Sequence, residues 1–258
     1  MIIAAYNPKG GVGKTTTVVN IASMLAVRGE PVLVVDLEPD MNASISLGVR
    51  PGVDTQPSIA DVILHRARPA DAVRTLAGIP NLHLITGSPH LAEMDAALRN
   101  VRQPEQRLGD ALKPLAGDFG TILIDAPAGY STLALSVPLA AHELIVPLRA
   151  EYLSLESLAR FLSWYRDRLA ARQAMARLTG ILLTMVDYRL QATREIVDII
   201  RLHNRHGVFR TEIPQDPRAS EAPSHGRPLV QYAARSRASK AYEQLTVELM
   251  KRAGRHDT

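Results

Sequence analysis

Short apolar segments alternate with amphipathic ones along this chain, and the alternation predicts strands and helices in turn. Val32–Val35 and Ile122–Ile124 are continuously apolar, as strands are when helices cover both faces of a sheet. The predicted strands are Ile2–Tyr6, Pro31–Asp36, Leu82–Thr86, Thr121–Asp125, Glu143–Pro147, Thr179–Val186 and Thr211–Ile213. Helices are predicted near 14–28, 90–99, 154–172, 191–206 and 239–253. This order indicates an α/β fold with a doubly wound, mostly parallel sheet flanked by helices.

The composition is that of a globular protein and excludes several classes of site. The 258 residues are 46% hydrophobic and 22% charged, and the absence of an internal repeat or linker predicts one domain over residues 1–258. Because there are 0 cysteines, disulfides, thiolate zinc sites and cysteine-ligated iron–sulfur clusters are excluded. No apolar run approaches the roughly 20 residues that cross a bilayer, and no basic leader precedes the first strand, so we expect a cytoplasmic protein.

Positive charge is concentrated in the second part of the chain. Residues 1–150 carry 12 Lys/Arg and 14 Asp/Glu, whereas residues 151–258 carry 18 and 12. A polyanionic partner would explain this distribution, and so would solvated helix faces. Charge alone does not separate the two explanations.

A glycine-rich loop between the first predicted strand and helix carries the most specific chemistry. Asn7–Thr16 reads NPKGGVGKTT, and a loop in this position directs backbone N–H groups and a helix N-terminus at phosphate. Lys14 is expected to neutralise the β- and γ-phosphates, and the Thr15 hydroxyl to bind Mg²⁺. The expected nucleotide contacts are Lys9, Gly10, Gly11, Val12, Gly13, Lys14, Thr15 and Thr16.

Two acidic residues end predicted strands and support the same site. Asp36 and Asp125 each follow an apolar run, and carboxylates at neighbouring strand ends converge on the crevice where open α/β sheets bind ligands. With Thr15 they are the predicted Mg²⁺ ligands, since Mg²⁺ prefers oxygen donors. A lone aspartate there is more often a turn or helix cap. Two of them after a phosphate loop favour the metal.

The loop departs from the usual phosphate-loop pattern, because Pro8 stands where its first glycine would fall and Lys9 adds a second lysine. In this form it resembles the deviant Walker A motif of the ParA/MinD family of P-loop ATPases. Further similarity lies in Glu151–Leu158, Gly180–Met185, Phe209–Pro214 and Ser220–Pro228, the last two nearer the Soj-type ParA branch. The resemblance implies an ATPase, using ATP/ADP and Mg²⁺, that forms a homodimer with ATP. In that dimer Lys9 would reach the partner subunit's nucleotide.

The resemblance also implies catalytic roles. Asp36–Ser44 is similar to the switch I segment of the family, and Glu38 stands where an aspartate usually positions the attacking water. The implied catalytic residues are Lys9, Lys14, Glu38 and Asp125. Because the Glu38 carboxylate lies about one methylene further out, and attack depends on sub-ångström placement, we expect weak intrinsic turnover.

The C-terminal third carries implied DNA and base contacts. Two DNA-binding arginines of the Soj branch fall on Arg189 and Arg218; the alternative for any surface arginine is a solvated charge. Weaker candidates are Arg194, Arg201 and Arg205. The nucleotide base is expected to meet Met185, Pro214 and Asp216. Ordinary turn chemistry is the alternative for Asp216.

These observations lead to one main hypothesis and two alternatives. The main hypothesis is an ATP-dependent chromosome or plasmid partitioning ATPase, nucleoid-associated. Its ATP dimer would bind double-stranded DNA without sequence preference, and a ParB-type partner would stimulate hydrolysis. The alternatives are a MinD-like membrane-positioning ATPase and a slowly hydrolysing, nucleotide-gated DNA-binding module. No large apolar residue follows Met250, so we expect no membrane insertion there.

Overall fold

A seven-stranded sheet forms the centre of the computed structural model, which describes residues 1–52, 57–170, 175–204 and 207–254. Its strands are β1 (Ile2–Ala5), β2 (Val32–Asp36), β3 (Arg74–Thr75), β4 (Leu82–Ile85), β5 (Thr121–Asp125), β6 (Glu143–Arg149) and β7 (Arg177–Thr184). The order is β3-β4-β2-β5-β1-β6-β7, and every pair is parallel except β3 with β4. The predicted fold class is confirmed.

Helices cover both faces of this sheet. They are α1 (Lys14–Val27), α2 (Asn42–Ser46), α3 (Ile59–Ile63), α4 (Pro69–Ala72), α5 (Met94–Leu98), α6 (Arg107–Leu112), α7 (Thr132–Ala140), α8 (Tyr152–Ala170), α9 (Gln191–His203), α10 (Pro217–Glu221), α11 (Leu229–Tyr232) and α12 (Arg237–Arg252). A 3₁₀ turn at Ala222–His225 follows α10. None of the helices in the described ranges is long and apolar enough to span a membrane.

The apolar strands are explained by burial on two sides. Along β1, Ile2 and Ala4 join one hydrophobic cluster while Ile3 and Ala5 join the other. Successive side chains of a strand point to opposite faces, so a central strand needs an apolar residue at every position. The polar loops at the strand ends are therefore the places where this sheet can carry chemistry.

Several elements differ from the sequence-based expectation, including most of the short helices, and three differences have a clear physical reason. The predicted strand Thr211–Ile213 is wrong: no strand forms there, and the flanking residues Val208 and Pro214 make isolated bridges with Ile181 of β7 and with Val186, which follows β7. Helix α7 is not predicted because it is apolar on nearly all sides and contains Pro138. Both features hide the helical period of the sequence. The short edge strand β3 pairs only two of its residues with β4, too few to leave a pattern.

The end of α12 is fastened to β7 by one arginine. Arg252 donates hydrogen bonds to the carbonyls of Thr179 at 3.1 Å and Val208 at 2.7 Å. Its guanidinium lies 4.4 Å from the centre of the Phe209 ring. Gly180 lies beneath both groups, since a Cβ there would stand 2.8 Å from Phe209 and 2.9 Å from the Arg252 guanidinium.

We predict that Gly180→Ala lowers the free energy of unfolding by about 1–3 kcal/mol, because the added methyl overpacks a filled site. Urea denaturation measures this change. Gly117→Ala is the matched control, because a Cβ at Gly117 meets nothing within 4 Å. Equal stability of the two variants would contradict the packing described here.

Candidate nucleotide site and basic groove

The glycine-rich loop between β1 and α1 has the shape of a phosphate cradle. Gly11 and Gly13 adopt positive φ angles of 70° and 88°, which favour glycine. A Cβ at Gly10 or Gly11 would meet nothing within 4 Å, so this side of the loop is open. The loop is held from behind: the Thr184 hydroxyl donates to the Val12 carbonyl at 2.8 Å, and the Asn7 side chain accepts from the Lys9 N–H at 2.9 Å.

The two lysines of the loop lie in different environments. Lys14 is only 6% exposed and donates to the Lys9 carbonyl at 3.2 Å. Burial lowers the pKa of Lys14, while the charges of Glu38 and Asp125 act to raise it. The Lys9 side chain is 27% exposed and forms an ion pair with Glu151; it also donates to the Ser154 hydroxyl at 3.3 Å. Lys14 therefore belongs to the interior of the cradle and Lys9 to its rim.

The strand-end aspartates lie side by side but are satisfied unequally. Asp36 and Asp125 are register partners on β2 and β5, and both are fully buried. The Asp36 carboxylate accepts hydrogen bonds from the Glu38 N–H at 3.0 Å, the Ser44 N–H at 2.8 Å and the Ser44 hydroxyl at 2.7 Å. Among the described residues, neither buried oxygen of Asp125 has a well-formed hydrogen bond.

The electrostatics of Asp125 follow from this isolation. Burial raises the pKa of Asp125 well above its usual range, and the neighbouring Asp36 adds to the shift. The Thr15 hydroxyl and Lys14 act in the opposite direction. A buried carboxylate without full hydrogen bonding is costly, and a divalent cation beside Thr15 would remove that cost. Asp125 thus fits Mg²⁺ directly, whereas Asp36 is already engaged with Ser44 and Glu38 and stays a predicted ligand.

Glu38 joins the same cluster of charges. It is half-buried, and burial raises the pKa of its carboxyl while Lys14 lowers it. The loop after β4 approaches closely, because a Cβ at Gly87 would stand 2.5 Å from the Glu38 carbonyl oxygen. Asp40, in contrast, is exposed. Of the two acids after Asp36, Glu38 is the one that the structure brings beside Lys14 and Asp125.

The predicted base contacts lie behind the cradle. A Cβ at Gly13 would stand 3.9 Å from the Met185 Cε, and the Val186–Pro214 bridge joins the segment after β7 to the turn that begins at Pro214. The Asp216 carboxylate accepts from the N–H groups of Arg218 and Ala238, both at 3.0 Å. Asp216 therefore caps α10 and reaches the start of α12, which is the turn chemistry that the sequence left open. Its contact with a base stays a prediction.

A basic groove of about 1550 Å³ lies next to these residues. Arg189 and Arg218, the two arginines predicted to bind DNA, line this groove. Three further basic residues that the sequence analysis did not predict also line it. Its basic residues are Arg189, Arg194, Arg218, Arg235, Arg237 and Lys240. Arg189 pairs with Asp187 at 2.7 Å and holds the pKa of that carboxyl down to about 2, and Arg218 pairs with Glu221 at 3.0 Å.

The weaker arginine candidates have different positions. Arg194 lines the groove and donates to the Tyr188 carbonyl at 2.6 Å. Arg201 is tied to Glu212 at 2.6 Å, and Arg205 lies outside the described residues. The three cations that were missed form the pattern Arg235-Ser-Arg-Ala-Ser-Lys240. That pattern is equally typical of a solvated helix start, so only the tertiary structure assigns it to a groove.

The fold and this cradle define a nucleotide-binding protein of the P-loop class, and the comparisons with known proteins narrow the class to a family. A family model described as an AAA domain matches residues 1–173. The chain is 34% identical over 248 residues to the sporulation initiation inhibitor protein Soj of Bacillus subtilis, covering 96% of this chain and 97% of that protein. It is 37% identical to the chromosome-partitioning ATPase Soj of Thermus thermophilus, with coverages of 97% and 95%. The chain belongs to the ParA/MinD family and is of the Soj type.

Solved structures agree with this assignment. Cobyrinic acid a,c-diamide synthase from Mycobacterium smegmatis, with bound ADP and magnesium, superposes with a TM-score of 0.83 at 29% identity, covering 98% of this chain and 96% of that one. The cell division ATPase MinD of Pyrococcus furiosus gives a TM-score of 0.77 at 28% identity, with coverages of 97% and 98%. The family therefore includes ATPases with more than one biological role.

We predict that Asp125→Asn raises the unfolding free energy of the nucleotide-free protein at pH 7 by about 1–3 kcal/mol, because asparagine removes the cost of protonating or burying this carboxylate on folding. Folding raises the pKa of Asp125, so the folded protein keeps a proton that the unfolded chain has lost. Wild-type stability should thus fall as pH rises above the unfolded value of 3.8. Urea unfolding from pH 4 to pH 7 should show a flatter profile in the variant.

The matched control for this experiment is Asp118→Asn, since Asp118 is exposed. It should leave the pH profile unchanged. A profile for Asp125→Asn that follows the wild type would show that folding does not raise the pKa of Asp125.

Proposed function

We propose that this protein is a DNA-partitioning ATPase that acts as a single domain over residues 1–258. Its ATP-bound homodimer would bind double-stranded DNA without sequence preference. The observation that carries the proposal is the different placement of the two loop lysines: Lys14 is buried within its own cradle, while Lys9 lies on the rim, where it can reach a second subunit.

The residues around the cradle fit a Mg²⁺–nucleotide complex. Backbone N–H groups of Gly10–Thr16 and the Lys14 ammonium would hold the β- and γ-phosphates. Mg²⁺ would neutralise the phosphate charge when bound by Thr15 and Asp125, with Asp36 behind it. The base would pack on Met185 and Pro214, with Asp216 at the edge of the same turn.

Glu38 would place the attacking water. Its carboxylate faces the charge of Lys14 and lies in the same cluster as Asp125, so it can accept a hydrogen bond from water near the γ-phosphate. A glutamate reaches further and has one more rotatable bond than an aspartate. The water is therefore held less firmly, and we propose weak turnover until a partner orders the site.

Dimer formation requires Lys9 to exchange partners. Lys9 and Glu151 are partly exposed, at 27% and 38%, and such a pair contributes about 1 kcal/mol or less. A triphosphate on the facing subunit carries several negative charges and loses water as the two subunits come together. It is therefore favourable for Lys9 to exchange Glu151 for that triphosphate. Hydrolysis removes the γ-phosphate charge and so weakens the contact between Lys9 and the partner's nucleotide.

The basic groove supplies the DNA contact. Arg189 and Arg218 are exposed and held by acidic neighbours on their own segments, so they can grip phosphates without rebuilding the fold. Contacts to phosphate bind DNA irrespective of sequence and weaken steeply with salt. A ParB-type partner that stimulates hydrolysis would release the DNA, and a nucleoid-associated, cytoplasmic ATPase follows from this cycle.

We predict opposite behaviour for two variants of the nucleotide site. Lys9→Ala should bind ATP but elute as a monomer with Mg²⁺–ATP, because it lacks the charge that reaches the partner's nucleotide. Glu38→Ala should elute as an ATP-bound dimer and release phosphate about a hundredfold or more slowly than wild type. Size-exclusion chromatography and a phosphate-release assay measure the two effects. A dimeric Lys9→Ala protein that retains DNA with ATP would sink the proposed function.

We predict that DNA binding depends on ATP and on the two groove arginines. Wild type should bind duplexes of unrelated sequence with ATP and release them with ADP. Arg189→Ala and Arg218→Ala should each weaken binding to all duplexes alike and reduce the slope of log K against log salt by about 1. Fluorescence anisotropy at several salt concentrations measures both quantities.

The control for the arginine variants is Arg160→Ala. Arg160 is 68% exposed and paired with Glu156, so it matches the two arginines in exposure and pairing but lies on α8. It should leave affinity and salt slope unchanged. Equal DNA binding with ATP and ADP, or an equal loss in Arg160→Ala, would count against the assignment of the groove.

A further inference from the structure

Two glycines bring the loop after α2 into backbone contact with the turn after α10. Gly48 has φ of +88° and Gly226 has φ of +58°. A Cβ at Gly226 would stand 2.8 Å from the Gly48 Cα and 3.2 Å from its nitrogen, and a Cβ at Gly48 would stand 3.2 Å from the Gly226 oxygen. The two backbones therefore touch with no side chain between them.

The Gly48 side of this contact is anchored in the nucleotide site. Ser44, within α2, donates both its N–H and its hydroxyl to Asp36, the register partner of Asp125. Backbone hydrogen bonds connect α2 to the glycine. The Gly48 N–H donates to the Ile45 carbonyl at 3.0 Å, and the Val49 N–H donates to the Ser44 carbonyl at 3.0 Å. A short chain of hydrogen bonds therefore connects the Asp36 carboxylate to Gly48.

The Gly226 side is anchored in the basic groove. Gly226 N–H donates to the Pro223 carbonyl at 3.0 Å within the 3₁₀ turn, which directly follows α10 and Glu221. The Glu221 carboxylate accepts from Arg218 and from the Tyr232 hydroxyl, both at 3.0 Å. Tyr232 in turn stacks on His225, with ring centres 4.8 Å apart. Gly226 and Arg218 therefore belong to one hydrogen-bonded unit.

We propose that the Gly48–Gly226 contact transmits the nucleotide state from the Asp36–Ser44 segment to Arg218 and so sets the DNA affinity of the groove. Closely packed backbones shift between discrete arrangements and do not yield gradually as long side chains do. A displacement of α2 on nucleotide binding must then displace the Ala222–His225 turn or break the contact. This inference rests on the proposed function and assigns its switch to two positions outside the phosphate cradle and the groove.

The first test substitutes the contact itself. Gly226→Ala should bind a fluorescent ATP analogue as wild type does, but the ratio of its DNA affinities with ATP and with ADP should fall by about fivefold or more. Gly48→Ala should lower this ratio by less, because the added Cβ meets only the Gly226 carbonyl oxygen at 3.2 Å. Gly29→Ala is the control, because its φ is +91° but a Cβ there meets nothing within 4 Å. An unchanged ratio in folded Gly226→Ala, or an equal fall in Gly29→Ala, would overturn the inference.

The second test uses wild-type protein and no DNA, so it separates this inference from the proposed function. Hydrogen exchange is followed in peptides covering 42–49 and 218–227, with and without Mg²⁺–ATP. Exchange should slow in both peptides together. Slowing in 42–49 alone overturns the coupling, even if DNA binding is ATP-dependent and even if Gly226→Ala does not fold. Slowing in both with no DNA binding in any state supports the coupling and rejects the function.

Discussion

The main constraint on this structure is a cluster of ionisable groups buried at the ends of three adjacent strands. β2, β5 and β1 are neighbours in the sheet, and their ends bring the fully buried Asp36 and Asp125 to Lys14, which is 6% exposed. Removing charges from water is costly unless each is paired and hydrogen-bonded. Asp36 meets this condition through Ser44 and Glu38. Asp125 does not, so a cation bound beside it would supply the contact that its carboxylate lacks.

The topology of the sheet explains why the site lies where it does. β1 has β5 on one side and β6 on the other, and the chain continues from β1 first to one side of the sheet and later to the opposite side. Loops diverge at such a point and leave a crevice. A parallel sheet is rigid because both faces are buried, so the loops at this crevice can carry buried charges without being supported by a large core of their own.

The sequence predicts the local parts of this arrangement well. The phosphate loop and the two strand-end aspartates each depend on a short segment. The strand, the turn and the acidic residue can all be recognised in the sequence of that segment. The Lys9–Glu151 pair is different, because its partners are 142 positions apart and no local pattern links them. The same holds for Arg235, Arg237 and Lys240, which become a groove only when α12 packs beside the turn at Pro214–Arg218. For Asp216 the sequence left two roles open, and the structure shows the local one: its two carboxylate oxygens accept from the N–H groups of Arg218 and Ala238.

The nucleotide site and the basic groove therefore cannot be separate modules. Val186 and Pro214 form a bridge behind the cradle and also line the groove. Two residues after Pro214, the Asp216 carboxylate accepts a hydrogen bond from the N–H of Arg218. Further along the chain, Gly226 contacts Gly48. The segment that carries Arg218 is thus connected at one end to the turn at Pro214 and at the other to the Gly48–Gly226 contact. In the cycle proposed here, a movement of either support on nucleotide binding would move Arg218, so that its position would depend on the nucleotide state.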